Sequence, residues 1–83
     1  QDVPPYILAT GEPLKYAGIN SVGLRRKKFS LNKRKIIKKA YSLIYQSKLN
    51  LTQSVDKIKK DFQMTDEIQI TLDFIKRSDR GLI

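Results

Sequence analysis

Over most of this chain, apolar positions return every three to four residues, the period of an amphipathic helix. Ile36, Ile37, Ala40, Tyr41 and Ile44 share one face of such a helix, and Lys35, Lys38, Lys39 and Gln46 fall on the other. Ser30 is placed to cap its start. Leu51, Val55, Ile58 and Phe62, spaced four, three and four, mark a further helix. Asn50 and Gln53 before it have the spacing of a capping box, with Thr52 as the competing cap. Ile68, Leu72 and Ile75, with Phe74 nearby, mark another that starts at Thr65 or Asp66. Asp66 and Glu67 in its first turn and Lys76 and Arg77 in its last suit the helix dipole, and Gly81 is the expected stop. A shorter helix carrying Val22, Leu24 and the basic residues 25–27 is expected to begin at Asn20 or Ser21. The breaks near 28–30, 48–50 and 63–65 are short, so successive helices are expected to pack as neighbours.

The start of the chain follows another pattern. Pro4-Pro5 imposes an extended or turning backbone. Residues 6–10, Tyr-Ile-Leu-Ala-Thr, read as a short strand closed by Gly11, and Pro13 prolongs the irregular stretch. A lone five-residue strand is not stable, and the remaining sequence offers no good partner. The strand is therefore expected to be severed from a sheet or β-solenoid upstream, a reading that the start at Gln1 rather than Met also supports. The expectation is a mainly α domain of three to four helices in residues 13–83, with residues 1–12 as an extended remnant.

Composition narrows the chemistry. Eighty-three residues make one small domain, which buries only about 60% of its unfolded surface. There is no cysteine, hence no disulfide and no thiolate metal site, and no histidine, the commonest general base and zinc ligand. The carboxylates are scattered, no Ser-x-x-Lys context is present, and the four glycines are isolated, so no nucleophile–base pair, calcium loop or phosphate-binding glycine loop can be assembled. No metal or cofactor is expected, and the 83 residues are not expected to be catalytic alone. No apolar run approaches the ~20 residues of a membrane span, and no signal peptide is visible.

The charge is +9, from 17 basic and 8 acidic residues, and it is unevenly placed. Residues 13–55 hold eleven bases and no acid, densest over 25–39. Such a field attracts nucleic acid, nucleotide phosphates, acidic lipid or an acidic protein, or it is simply a solvated helix face. Within the stretch from Gly18 to Phe29, a capping amide precedes four consecutive cations, Arg25, Arg26, Lys27 and Lys28. Backbone N–H groups and the Arg26 fork are suited to phosphate oxygens there, whereas the bland reading is a basic turn in water. Tyr16, Tyr41 and Tyr45 lie in or near the basic region. Stacking aromatics beside cations suit single-stranded nucleic acid, but Tyr41 sits on the apolar face and is expected in the core.

Several short motifs carry a resemblance when read in order. They are Asp-Val-Pro-Pro-Tyr at 2–6, Gly-Ile-Asn at 18–20, Gly-Leu-Arg-Arg at 23–26, Phe-Ser at 29–30, Ala-Tyr at 40–41 and Leu-Ile-Tyr at 43–45 with Ser47. Asp-Phe-Ile at 73–75, Arg77-Ser78 and Arg-Gly-Leu-Ile at 80–83 complete the set. Over its whole length the chain resembles the C-terminal domain of the acyl-[acyl-carrier-protein]–UDP-N-acetylglucosamine O-acyltransferases, which catalyse the first step of lipid A synthesis. The resemblance implies a cytoplasmic homotrimer. Each subunit has an N-terminal left-handed parallel β-helix that holds the catalytic histidine, followed by a helical domain. Residues 1–12 would end that β-helix. The donor would be a 3-hydroxyacyl chain on acyl carrier protein, and the acceptor the 3-hydroxyl of UDP-N-acetylglucosamine. The separated fragment is expected to be monomeric or weakly associated.

By position, the family's nucleotide-sugar contacts fall on Asn20, Arg26 and Lys27. Val22 stands where some members have Glu, and Lys27 where others have Arg, which exchanges a bidentate fork for a point charge. Lys28 fills a position often held by Gly, so a different turn is expected before Phe29. Pro13 replaces a His found near the acyl pocket of some members, which leaves acyl-chain length open. Acyl carrier proteins are acidic, and Lys33, Lys35, Lys38 and Lys39 are the candidate contacts that would steer them. Nucleic acid is not an expected partner of such an enzyme. The alternatives are a free-standing basic module that binds nucleic acid, and a sibling acyltransferase using another nucleotide sugar or acyl donor.

Overall fold

A computed structural model describes residues 1–78 and 81–83; Arg80 of the closing Arg-Gly-Leu-Ile run lies outside them. The chain is mainly α. Two strands, β1 (Ile7–Thr10) and β2 (Lys15–Ile19), precede four helices: α1 (Ser21–Arg26), α2 (Leu31–Tyr45), α3 (Leu51–Asp61) and α4 (Asp66–Arg77).

The strand at the start is not an orphan. It pairs antiparallel with β2, with Ile7 opposite Ile19, Ala9 opposite Tyr16 and Thr10 opposite Lys15. The turn contains Gly11 at φ +90° and a cis Glu12–Pro13 peptide. This corrects the expectation that no partner strand exists, and the hairpin crosses the expected division at residue 12. Pro13 reads as prolonging an irregular stretch, yet it has a place in the hairpin turn, and Gly18, at φ +104°, lies in an irregular stretch of β2. Between the Ile7 and Ala9 pairings β2 carries one extra residue. Strict alternation would put Tyr16 and Ile19, three apart, on opposite faces. The bulge lets both pack on the same core.

Helix α2 is the centre of the molecule, with β2, α3 and α4 all packed on it. Its Ile37 and Tyr41 join Ile7 and Leu24 in one buried cluster, edged by Tyr6, Tyr16, Ile19, Phe29 and Tyr45. Its Ala40 joins Ile58, Ile68 and Leu72 in a second, edged by Ile36, Leu43, Val55 and Phe62. Ile44 touches both. Tyr41 is fully buried, as its place on the apolar face requires, and its hydroxyl donates to the Pro5 carbonyl at 2.7 Å. That bond ties the extended start of the chain to the central helix.

The expected caps are present. Asn20, Ser30, Asn50 and Thr65 each accept a backbone N–H through the side chain, and Asn50 with Gln53 forms a complete capping box. Three details differ from expectation. Leu51 is 41% exposed, and Ser54 is buried in its place, donating its hydroxyl to the Leu43 carbonyl at 2.7 Å. A small residue lets α3 approach α2 closely there, and the hydrogen bond offsets the cost of burying its oxygen. Thr71 is likewise buried, its hydroxyl bonded to the Glu67 carbonyl one turn back. Helix α4 ends at Arg77 with Ser78 as cap, before Gly81. Residues 81–83 then return to the start of the chain: Asp2 N–H donates to the Gly81 carbonyl and Ile83 N–H to the Asp2 carbonyl, at 2.9 and 3.1 Å.

Candidate functional site

The segment that joins the hairpin to α2 gathers the capping amide and the four cations. Asn20 follows β2 directly, and its backbone N–H donates to the Tyr6 carbonyl at 2.7 Å. Tyr6 has φ +72°, a left-handed conformation that an aromatic residue adopts only where its surroundings enforce it. Asn20 then caps α1: its carbonyl accepts the Leu24 N–H at 2.9 Å and its Oδ1 accepts the Gly23 N–H at 3.1 Å. Of the two caps expected for this helix, Asn20 is the one used.

Gly23 makes that cap possible. A Cβ at this position would lie 2.6 Å from Asn20 Nδ2, closer than real contacts allow, and 3.1 Å from Oδ1, a tight contact. Val22 is exposed at 51%.

The far end of α1 is a Schellman turn. Phe29 N–H donates to the Leu24 carbonyl at 3.0 Å and Lys28 N–H to the Arg25 carbonyl at 2.9 Å. Lys28 sits at φ +61°, where this turn favours glycine. A lysine therefore occupies a glycine-type turn at this position, with left-handed backbone strain as the consequence. Phe29 and Leu24 share the first cluster, and the Phe29 ring lies 5.9 Å from the Tyr6 ring. Packing thus holds the turn that carries the charges. Arg25, Arg26, Lys27 and Lys28 are all exposed, and among the described residues none forms an ion pair.

The structure places Asn20, Arg26 and Lys27 on one six-residue helix and its caps. The lysines of α2 divide. Lys35, Lys38 and Lys39 are exposed along the side away from the core, whereas Lys33 is bonded to Glu67 of α4 at 3.2 Å. Glu67 is nearly buried. Its own backbone amide, and then the Lys33 ammonium, hold its carboxyl below the ordinary value of 4.5, against the opposing effect of burial.

The three tyrosines form a stack rather than an open platform. Tyr16 and Tyr45 are 4.6 Å apart and nearly parallel, and Tyr41 is 6.1 and 6.2 Å from them. Burial pushes all three phenols above their ordinary value. Sequence reasoning missed a groove of about 640 Å³ beside α2 and α3, floored by Ile36, Leu43 and Phe62 with Lys39 at its edge. It also missed the role of Gly23. The signal for Gly23 was its position three residues after an N-cap Asn.

Residues 2–83 match the sequence family described as UDP N-acetylglucosamine O-acyltransferase, domain 2. The chain belongs to that family. The acyl-[acyl-carrier-protein]–UDP-N-acetylglucosamine O-acyltransferase of Thermodesulfovibrio yellowstonii is 44% identical over 82 residues. These are 99% of this chain and 32% of the relative. That of Syntrophobacter fumaroxidans is 41% identical over 83 residues. The crystal structure of the UDP-N-acetylglucosamine acyltransferase of Bacteroides fragilis superposes with a TM-score of 0.95 at 45% identity, covering 99% of this chain and 32% of that one. The Francisella novicida enzyme gives 0.89 at 31% identity, with 99% and 30% covered. The chain thus spans about a third of the length of the acyltransferases it matches. Among the described residues, no helix is long and apolar enough to cross a membrane.

Proposed function

We propose that this chain is the C-terminal, substrate-binding helical domain of an acyl-[acyl-carrier-protein]–UDP-N-acetylglucosamine O-acyltransferase. The observation that carries this reading is the match of residues 2–83 to the second domain of that enzyme family. The whole enzyme transfers a 3-hydroxyacyl chain from acyl carrier protein to the 3-hydroxyl of UDP-N-acetylglucosamine, as a cytoplasmic homotrimer in the lipid A pathway. The 83 residues contain no histidine, and in this reading the base that activates the hydroxyl is supplied by the N-terminal part of the enzyme. Residues 1–12 lead out of that catalytic part and are joined through the β1–β2 hairpin to the substrate-binding one, residues 13–83.

Nucleotide-sugar binding falls to Asn20, Arg26 and Lys27. Arg26 offers a planar fork and Lys27 a point charge to the diphosphate. Their exposure, the absence of neighbouring acids from residue 13 to 55 and the fixed turn at Lys28 support the assignment. Val22 leaves no acid beside the phosphates. Lys35, Lys38 and Lys39 form a basic rim that steers the acidic carrier protein. Lys33, already paired with Glu67, contributes less to that rim.

Calorimetric titration with UDP-N-acetylglucosamine tests the reading. Saturable binding that weakens about tenfold or more in Arg26→Ala, and that heparin does not abolish, is the expected result. Binding governed only by polyanion charge would replace this reading with that of a nucleic-acid module. Charge reversal at Lys35, Lys38 and Lys39 together is expected to lower turnover with acyl carrier protein substrate, less so at high salt. Unchanged rates at low salt would remove the steering role.

A further inference from the structure

We propose that the groove between α2 and α3, together with a hollow beside it, binds a single-chain anionic amphiphile: one alkyl chain with an anionic head. The inference goes beyond the nucleotide-sugar reading and does not depend on it. The groove begins with one stripe of α2. Ile36, Lys39, Leu43 and Ser47, spaced three, four and four, run along one side of that helix. Helix α3 ends opposite them at Asp61, and its cap Phe62 completes the floor. The open volume, about 640 Å³, lies within the range of about 300–1,000 Å³ typical of small-molecule sites. A second hollow of about 440 Å³ adjoins it on α2 and shares Ile36, Lys39 and Ser42 with it. Lys35 and Lys38 line that hollow. An apolar groove thus opens into a cationic one, with Lys39 and Ser42 at the junction.

Charge and depth select the occupant. Among the described residues, Lys35, Lys38 and Lys39 form no ion pair. The carboxylate that lines the groove, Asp61, is already paired with Lys57 at 3.2 Å. The uncompensated charge is therefore positive and lies on α2, where an anionic head gains from it. Ile36, Leu43 and Phe62 are half-buried and pack on the second core cluster, which fixes the floor. Apolar residues at the bottom of a groove do not reach into a bilayer, but they take an alkyl chain out of water. A neutral apolar ligand leaves the lysines unused, and a bare anion leaves the floor wet. An amphiphile with one chain uses both.

The test is calorimetric titration of dodecyl phosphate, kept below its micelle concentration, into the protein expressed from its complete gene. Inorganic phosphate supplies the head alone, and dodecyl maltoside the same chain on an uncharged head. Saturable binding of dodecyl phosphate, about tenfold or more tighter than either control, is expected. Ser42→Leu fills the junction of the two cavities without a change of charge and with a better helix former, and is expected to weaken binding about tenfold or more. Lys39→Gln is expected to weaken it about fivefold or more. Lys60→Gln, on α3 and outside both cavities, is expected to change it less than about twofold. Dodecyl phosphate that does not saturate, or that binds no tighter than the controls, overturns the inference. Unchanged affinity in Lys39→Gln, or in folded Ser42→Leu, overturns it as well. Binding to phosphatidylglycerol vesicles without binding of the monomeric amphiphile would make this face a membrane surface instead. Hydrogen-exchange protection of residues 36–47 by acyl carrier protein, with none by dodecyl phosphate, would assign the groove to a protein partner. Each of these results leaves the nucleotide-sugar reading standing, because its titration is separate.

Discussion

The two halves of this domain that meet on α2 follow different rules. The α3–α4 half is built from regular caps, and its two helices contain no left-handed residue. The half formed by residues 1–30 holds Tyr6 and Lys28 at positive φ, the bulge in β2 and two of the three positive-φ glycines. It also holds every residue assigned to the nucleotide sugar. Strain persists only where surrounding packing enforces it, and it gathers where side chains must be aimed. The bundle half supplies that packing through α2, and the hairpin half uses it.

Core truncation should separate the halves most sharply. Ile58→Ala, fully buried in the α3–α4 cluster, is expected to cost about 3 kcal/mol, read as a fall in Tm. If the regular half supports the strained one, nucleotide-sugar affinity in the remaining folded protein should stay close to the parent value. Lost affinity at full folding would show that the halves are not separable in this way.

Tyr41→Phe probes the junction. It removes the hydroxyl bond to Pro5 and leaves a part-buried carbonyl without its partner, for an expected loss of about 1 kcal/mol by chemical denaturation. Lys28→Gly should act in the opposite direction. Relief of the left-handed backbone is expected to add about 1 kcal/mol, less the entropy that glycine loses on folding. A destabilised Lys28→Gly protein would contradict the assignment of strain to that turn.

The smallest effect is in acid. Glu67 has its carboxyl depressed in the folded state, so its stabilisation is present above the ordinary carboxylate value of 4.5. It is lost as pH falls through the lower folded value. Glu67→Gln should therefore lower the neutral plateau slightly, flatten the acid limb of the stability–pH curve and leave stability at the acid end little changed. An unchanged acid limb would show that neither the backbone amide nor Lys33 depresses the Glu67 carboxyl in solution.

The bundle half was legible in the sequence because it obeys local rules. Cap residues stand at the right distance before periodic apolar positions, and each cap residue formed its bond. What escaped there were Ser54 and Thr71, polar residues buried where a helix needs a small contact or bonds back on itself. Periodicity counts apolar side chains and passes over such positions, which is also how exposed Leu51 was placed in the core. The hairpin half was harder to read, since Pro13 and Gly18 signal breaks in isolation and a strand pairing only when their partner is known. The residues proposed for the nucleotide sugar were assigned through motif order. The place of the Asn20 carboxamide depends on a space beside Gly23 that no spacing rule expresses.

Hydrogen–deuterium exchange with and without UDP-N-acetylglucosamine, on the protein expressed from its complete gene, tests the central claim most directly. The account predicts added protection in peptides covering residues 18–29 and little change across α3 and α4. Protection confined to α3 and α4, or none in residues 18–29 under saturating nucleotide sugar, would contradict it.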